Sequence, residues 1–238
     1  MTDDPTGELD ALTGLGWVWW RQGQCEQAAE HFGQALRLAR DAGDRVGEHT
    51  ALAGLGEVYL RQGRYEQATN QYQQALQFAR AAGDRVGELG ALAGLGRIGL
   101  RQGRHEQATY HYQQLLDLTQ EVGDGNWQVE AWQGLGRLRY AASHPDAALV
   151  YHDQALTLAR ELGQPVDVAR AHDGLAHAYH ALNNEEEAHC HWQHALNILT
   201  DLGIDHTDDE ETTTATIRAH MTNLNQQRPS REPIDSGG

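Results

Sequence analysis

The sequence predicts an all-α fold, a solenoid of five helical hairpins followed by a C-terminal helix. The first observation is a repeat: "ALTGLGWVWWRQGQCE" at residues 11–26 returns forty residues later as "ALAGLGEVYLRQGRYE" and again as "ALAGLGRIGLRQGRHE". The second is that each period contains two stretches with apolar residues at helical spacing. The third is the glycine that separates them. Because one hairpin cannot bury its apolar face alone, such hairpins stack on their neighbours.

The first helix of the second repeat is predicted over residues 47–61. Leu52, Leu55 and Val58 are spaced so that they share one helical face. Gly63 follows, and glycine can adopt the left-handed conformation that closes a helix. We therefore expect a short turn here, with the chain reversing into a second helix.

That second helix is predicted over residues 65–82, where Ala68 and Tyr72 begin its apolar face. It ends before Gly83, and Asp84 is well placed to cap the next helix by accepting its free N–H groups. The same Gly-Asp step recurs at Gly43-Asp44 and at Gly123-Asp124. Each period is therefore one helix–turn–helix unit.

Close packing of the paired helices is predicted from small residues at fixed positions. Glycine in a helix costs about 1 kcal/mol relative to alanine, so the recurrence of the pair Gly54 and Gly56 in the first four copies suggests a packing requirement. A ring occupies the same position of every second helix: Phe32, Tyr72, Tyr112, His152 and Trp192. In the first helices, Gly99 and Arg139 replace an aromatic residue, and the room at Gly99 must be filled by neighbours.

The residues Leu52-x-x-Leu55-Gly56-x-x-Tyr59, Gly63-x-Tyr65-x-x-Ala68, Tyr72 and Ala75 resemble the tetratricopeptide repeat pattern. The resemblance covers residues 8–203, in five units, and it implies a right-handed α-solenoid. The period is forty residues instead of thirty-four, and the closing proline is absent. This long form is similar to the repeats of kinesin light chains, and to the C-terminal regions of bacterial signalling ATPases and of actinomycete antibiotic-regulatory transcription activators.

We predict three parts of the chain. A repeat array occupies residues 1–203, with repeats at about 8–43, 44–83, 84–123, 124–163 and 164–203. Residues 204–227 form an acidic linker and a C-terminal capping helix, whose apolar stripe is expected to contain Ala215, Ile217, Met221 and Leu224. Residues 228–238 are predicted to form a disordered tail.

The charge and cysteine content restrict the class of protein. The net charge is −16 and the chain contains no lysine, so all eighteen basic residues are arginine. This charge argues against direct nucleic-acid binding, because a phosphate backbone needs a basic face. Two distant cysteines and the lack of a signal peptide or apolar span indicate a cytoplasmic protein without membrane contact.

The resemblance implies that the first helices line a concave groove, with groove-facing residues at the second, fifth, ninth, twelfth and thirteenth positions of each motif. Arginine recurs there, and it suits the carboxylates of a peptide. Arginine at a helix C-terminus also favours the helix dipole, and both explanations can hold. The predicted groove residues are Trp17, Trp20, Arg21, Glu57, Leu60, Arg61, Arg97, Leu100, Arg101, Arg137, Tyr140, His177 and His180.

The first repeat opens without a cap, although its first helix contains "WVWW". Trp19 is expected in the core. Trp17 and Trp20 are expected to face either the groove or the open edge, where an upstream repeat of a longer protein could dock. An exposed apolar edge predicts either that the chain is part of a longer protein or that this edge is an interface.

No catalytic constellation, phosphate loop or cofactor motif is present, so we expect no enzyme activity and no cofactor. Six histidines lie in the fifth repeat, but Cys190 is expected on a different helical face from His191 and His194, and we expect no metal site. The predicted function is a protein–protein interaction module that binds an acidic and apolar segment of a protein or peptide, as an adaptor or as the sensor region of a bacterial regulator. The alternative is a homo-oligomeric assembly module that associates through the N-terminal edge.

Overall fold

The computed structural model describes residues 5–205 and 212–227, and within these ranges all regular structure is helical. The eleven helices there are α1 (Pro5–Arg21), α2 (Cys25–Ala42), α3 (Arg45–Arg61), α4 (Tyr65–Ala82), α5 (Arg85–Arg101), α6 (His105–Val122), α7 (Gly125–Ala141), α8 (Pro145–Glu161), α9 (Pro165–Ala181), α10 (Glu185–Leu202) and α11 (Thr214–Gln227). The odd-numbered helices from α1 to α9 therefore begin every forty residues, as the repeat predicts.

The helices belong to two compact units, which divide after Leu138. In the first unit each helix packs against the next one along the chain from α1 to α6. In addition, α1 packs against α3 and α3 packs against α5, so the first helices of successive repeats lie side by side. In the second unit, α8, α9, α10 and α11 pack consecutively. This nearest-neighbour packing is typical of repeat proteins.

The turns between helices follow the predicted chemistry. Gly83 closes α4 with φ +70°, a left-handed conformation that glycine adopts without steric cost. Asp84 then caps α5 by accepting a hydrogen bond of 3.0 Å from the Gly87 backbone N–H, which confirms its predicted role. Ser143 and Asn183 stand where other repeats have glycine within the hairpin, and both keep a positive φ, 60° and 59°.

In the first unit, an aromatic ring of each second helix packs between a glycine of its own repeat and a glycine of the next repeat. The Phe32 ring is fully buried, and a Cβ atom added at Gly16 or Gly54 would lie 2.7 or 2.4 Å from it. Tyr72 lies in the same way between Gly56 and Gly94. The predicted packing requirement at the paired glycines is therefore confirmed: one glycine receives the ring of its own repeat and the other receives the ring of the preceding repeat.

The capping helix α11 packs against the last hairpin of the second unit. Ile217 and Leu224 are buried in a cluster with Trp192 and Leu199, and Met221 packs at its edge. The expected apolar stripe was wrong in one residue, because Ala215 is exposed. The predicted disordered tail at 228–238 lies outside the described residues, as do residues 206–211 of the predicted acidic linker. The division of the chain into array, linker and tail stays a prediction.

Candidate partner-binding surface

Three of the predicted groove residues form one cluster between α1 and α3. The Arg61 guanidinium carbon lies 4.7 Å from the centre of the Trp20 ring, and Nη1 of Arg61 donates a hydrogen bond to the Trp20 carbonyl oxygen. Trp17 meets Trp20 edge-on, with ring centres 5.7 Å apart, and contacts buried Phe32 at 5.1 Å. All three predicted residues are half-buried. They therefore form an arginine–aromatic platform, which we call the Trp20–Arg61 platform.

Two further predicted residues pair with each other across α3 and α5. Nη1 of Arg97 lies 3.2 Å from Oε2 of Glu57, and Nη2 contacts the other carboxylate oxygen, so the pair is bidentate. Burial opposes the charge on Arg97, but the Glu57 carboxylate outweighs it and the pKa of Arg97 lies well above its ordinary value. Burial and the same carboxylate raise the pKa of Tyr72 beneath them. The charge of Arg97 is therefore balanced within the protein.

The remaining predicted residues of the first unit differ in exposure. Arg21 and Arg101 are exposed, whereas Leu60, Leu100 and Arg137 are half-buried. Arg21 and Arg101 each end a first helix, which also agrees with the dipole explanation of the arginine pattern. These side chains are thus placed at the ends of α1 and α5, one repeat on either side of Arg61.

The predicted residues of the second unit gather around one tryptophan. His177 and His180 lie 5.4 and 5.8 Å from the Trp192 ring, and Tyr140 lies 5.8 Å from His177. From α11, His220 stacks on Trp192 with ring centres 5.1 Å apart. The structure thus brings Tyr140, His177 and His180 together, but a residue of the capping helix shares the site.

Asp173 and His220 are members of this site that the sequence did not identify. Oδ1 of Asp173 accepts a hydrogen bond of 3.0 Å from Trp192 Nε1, and Oδ2 accepts one of 2.9 Å from the Thr212 hydroxyl. Asp173 therefore links the ring of α10 to the segment that leads into α11. The sequence signal for Asp173 was a carboxylate inside an apolar helical face. No comparable signal existed for His220, because its position depends on how α11 docks.

A second histidine group lies between α9 and α10. Nη2 of Arg160 lies 3.1 Å from Nε2 of His172, and because a guanidinium can only donate, Nε2 accepts. Nδ1 of His172 then carries the proton and donates to Nδ1 of His191 at 2.8 Å. Burial, together with His191, His194 and Arg160, lowers the pKa of His172 to about 3. Burial also lowers the pKa of His191. These rings therefore stay neutral at physiological pH.

One expectation about this region was wrong. Sγ of Cys190 lies 3.7 Å from Nδ1 of His194, one helical turn away, so the two residues share a helical face.

Across residues 5–205 and 212–227, no group of three or more His, Cys, Asp or Glu side chains has an arrangement suited to a metal ion. In the same part of the chain, no helix combines the length and the hydropathy that crossing a membrane would need.

Solved structures with the same fold include three that illustrate its range. BtubC (BKLC) from P. vanneervenii is 22% identical, with a TM-score of 0.71 over 86% of this chain and 85% of its own. A protein of Podosopora anserina assigned to the kinesin light chains, with nearly identical TPR-like repeats, is 16% identical, with a TM-score of 0.64 over 84% of this chain and 99% of its own. The signal transduction ATPase PH0952 from Pyrococcus horikoshii, which has a tetratricopeptide repeat sensor, is 15% identical, with a TM-score of 0.68 over 93% of this chain and 37% of its own.

These likenesses confirm the predicted α-solenoid fold class. No curated protein matches the chain in sequence. The family model described as tetratricopeptide repeat matches residues 7–81 and 88–161. That match covers more than half of the sequence, and the forty-residue spacing of the helices agrees with it. The chain therefore belongs to the tetratricopeptide repeat family.

Proposed function

We propose that this chain is a protein–protein interaction module that binds an acidic and apolar segment of a partner protein along its first helices. The observation that carries the proposal is the Trp20–Arg61 platform, because tryptophan and arginine are the residues that most often dominate the binding energy of an interface. Its half-buried rings offer apolar contact, and the guanidinium adds a donor for a carboxylate.

Within this surface we assign the acidic contacts to Arg21, Arg61 and Arg101. Arg97 is less suited, because Glu57 already balances its charge and both side chains are mostly buried. Leu60 and Leu100 supply apolar contact between these arginines. The partner segment that fits would carry carboxylates separated by apolar side chains. Extended and helical segments both meet this description.

The proposal is tested by selection from a phage-displayed library of random peptides. We expect the wild-type chain to enrich peptides that contain Asp or Glu beside apolar residues, and the double variant R61E/R101E to lose them. The double variant R37E/R218E changes the net charge equally at exposed positions of α2 and α11, and it should select the same peptides as the wild type. Thermal unfolding of all three proteins checks that they remain folded.

Two outcomes contradict the assignment. One is enrichment of the same peptides by R61E/R101E, and the other is the absence of any acidic enrichment by the wild type.

We further propose that the chain serves as an adaptor, or as the sensor region of a bacterial regulatory protein, without catalysis and in the cytoplasm. The support is the fold shared with PH0952, whose repeats are described as a sensor, and the finding that neither Cys25 nor Cys190 forms a disulfide bond.

A second candidate function, self-assembly through the N-terminal edge, is favoured by the exposed face of α1. Leu15 and Val18 are 45% and 48% exposed, whereas Leu55 and Val58 at the same repeat positions are 8% and 0% exposed. A Cβ atom at Gly14 would meet nothing within 4 Å, although the equivalent Gly54 receives the Phe32 ring. The exposed face of α1 therefore carries the same residues with which α3 packs against the hairpin before it.

Light scattering across a range of protein concentrations separates this candidate from the first. Self-assembly predicts a mass that rises with concentration in the wild type and not in the variant L15E/V18E. The variant V46E/V86E, which changes two other exposed apolar residues, serves as the control and should behave as the wild type does. A constant monomer mass at all concentrations would exclude assembly through this edge.

A further inference from the structure

A cleft of about 410 Å³ lies between α4, α5 and α6, beside Gly99. None of the predicted groove residues lines it, so it is distinct from the Trp20–Arg61 platform. The apolar part of its lining includes Leu95, Ile98 and Gly99, and Arg104 and Glu106 contribute charge. Gln73, Gln102 and Gln107 supply side-chain amides, which we call the rim.

The other repeats indicate what belongs in this place. In the first repeat the equivalent of Gly99 is Trp19, whose ring stacks on His31 with planes 8° apart. In the fifth repeat, Tyr179 stacks on His191 with planes 20° apart and ring centres 5.4 Å apart. Gly99 stands at the position of Trp19 and Tyr179. The third repeat thus keeps the histidine, as His111, and lacks the ring that stacks on it elsewhere.

Ala108 occupies the place at which a side chain of residue 99 would begin. A Cβ atom at Gly99 would lie 2.9 Å from Cβ of Ala108 and 3.1 Å from its Cα, so the two helices approach closely there. The cleft lies open beside this contact and reaches His111. Tyr110 does not replace the stacking partner, because it is 60% exposed and meets His111 edge-on at 67°.

The His111 ring also carries an unused polar atom. Its Nδ1 is buried and makes no hydrogen bond, which is also the case for Nδ1 of His31 beside Trp19. Burial and, more weakly, the nearby Arg80 lower the pKa of His111, so the ring is neutral at physiological pH. A neutral imidazole can both stack on an aromatic ring and exchange a hydrogen bond with a polar group at its edge.

We propose that this cleft receives an aromatic side chain, tyrosine or tryptophan, from a partner protein, and that the ring stacks on His111 as Trp19 stacks on His31. The occupant is a side chain of a polypeptide because the internal equivalents, Trp19 and Tyr179, are themselves side chains that stack on a histidine of their own repeat. The rim amides of Gln73, Gln102 and Gln107 then face the partner's backbone, whose N–H and C=O groups they can satisfy. Tyrosine and tryptophan are the rings that stand at this position in the other repeats, as Trp19, Tyr59 and Tyr179.

The test is an NMR titration of the full chain with N-acetyl-tyrosinamide, N-acetyl-tryptophanamide and, as the non-aromatic control, N-acetyl-leucinamide. We expect the two aromatic probes to shift the His111 ring protons upfield, and the leucine probe to leave them in place. The variant H111A should lose binding at least tenfold. The matched variant H31A should bind as the wild type does, because Trp19 already occupies the equivalent place.

A second variant, T69F, places a ring in the cleft lining and should also abolish binding. Because it fills the cleft and keeps His111, it tests the proposal even if H111A fails to fold. Three results overturn the proposal: an equal response to the leucine probe, wild-type binding by H111A or T69F, and no response to any probe. Indole and p-cresol distinguish a free small molecule from a side chain. If they bind as tightly as the blocked amino acids, the rim makes no contact with a backbone and the polypeptide occupant is excluded.

Discussion

At the scale of single residues, Phe32 and Tyr72 each pack tightly against a glycine of the next repeat. The ideal Cβ position at Gly54 is 2.4 Å from Phe32, and at Gly94 it is 2.3 Å from Tyr72. A methyl group cannot occupy such a position unless the ring or the helix moves. The glycines are thus required by packing, although glycine lowers the intrinsic stability of a helix.

The variant G54A tests this requirement. We expect it to lower the free energy of unfolding by about 2 kcal/mol, because overpacking outweighs the better helix propensity of alanine. The equivalent variant G14A should instead raise it by up to about 1 kcal/mol, since no atom lies near the added methyl group. Urea denaturation measures both. Equal effects of the two substitutions would show that ring packing does not explain the glycines.

Much at this scale was predictable from the sequence. The paired glycines, the ring position and the aspartate cap at Asp84 all follow from side-chain size and hydrogen-bonding chemistry within one repeat. The sequence did not predict that Glu57 and Arg97 pair with each other. Both occupy the ninth motif position of successive repeats, and their contact depends on the distance between α3 and α5, which periodicity does not give.

At the scale of elements, the Glu57–Arg97 pair connects the first helices of two repeats. The variant R97M leaves the Glu57 carboxylate largely buried without its partner and should cost roughly 2–3 kcal/mol of stability. The double variant E57L/R97M should recover to within about 1 kcal/mol of the wild type, because apolar side chains fill the same space without desolvated charge. A double-mutant cycle by chemical denaturation measures the coupling. Additive losses would contradict it.

The histidines between α9 and α10 make the stability of that contact depend on pH. Above pH 6.5, His172 is neutral in both the folded and the unfolded chain. Between pH 6.5 and about 3, only the unfolded chain binds the proton, because the folded pKa is about 3. The free energy of unfolding should therefore fall with decreasing pH, by up to about 1.4 kcal/mol per unit from this residue.

The measurement compares the pH dependence of unfolding for the wild type and for H172Q. Carboxylates titrate in both proteins, so the difference between the two curves isolates the histidine. The H172Q curve should be the flatter one between pH 6.5 and 4. Parallel curves would show that His172 is not kept neutral by its surroundings.

At the scale of the whole molecule, neighbour-only contacts limit how far a local change is transmitted. The variant I217A removes a fully buried side chain of α11 and should cost about 2–4 kcal/mol within the second unit. Hydrogen–deuterium exchange should then accelerate in α10 and α11 and stay unchanged in α1 to α4. The exposed T222A variant is the control. Faster exchange throughout the chain would indicate one cooperative unit instead.

The architecture could be predicted because every repeat contains the same pattern of apolar residues and glycines. A wrong helix boundary inferred from one copy is therefore corrected by the others. The site around Trp192 has no such redundancy. Its members come from α7, α9, α10 and α11, and the last of these lies outside the repeat. Its docking, and with it the stacking of His220 on Trp192, is set by a single set of contacts that no other part of the sequence repeats.

The ring held between two glycines also has an evolutionary consequence. Phe32 and Tyr72 enter glycine pairs of the same kind, so a hairpin carrying either ring presents the same surface to whatever follows it. A forty-residue module copied in frame would therefore find a compatible neighbour on both sides. Gene duplication can lengthen such an array one module at a time without a new interface having to arise. The close similarity of the second and third copies is the record that such a history would leave.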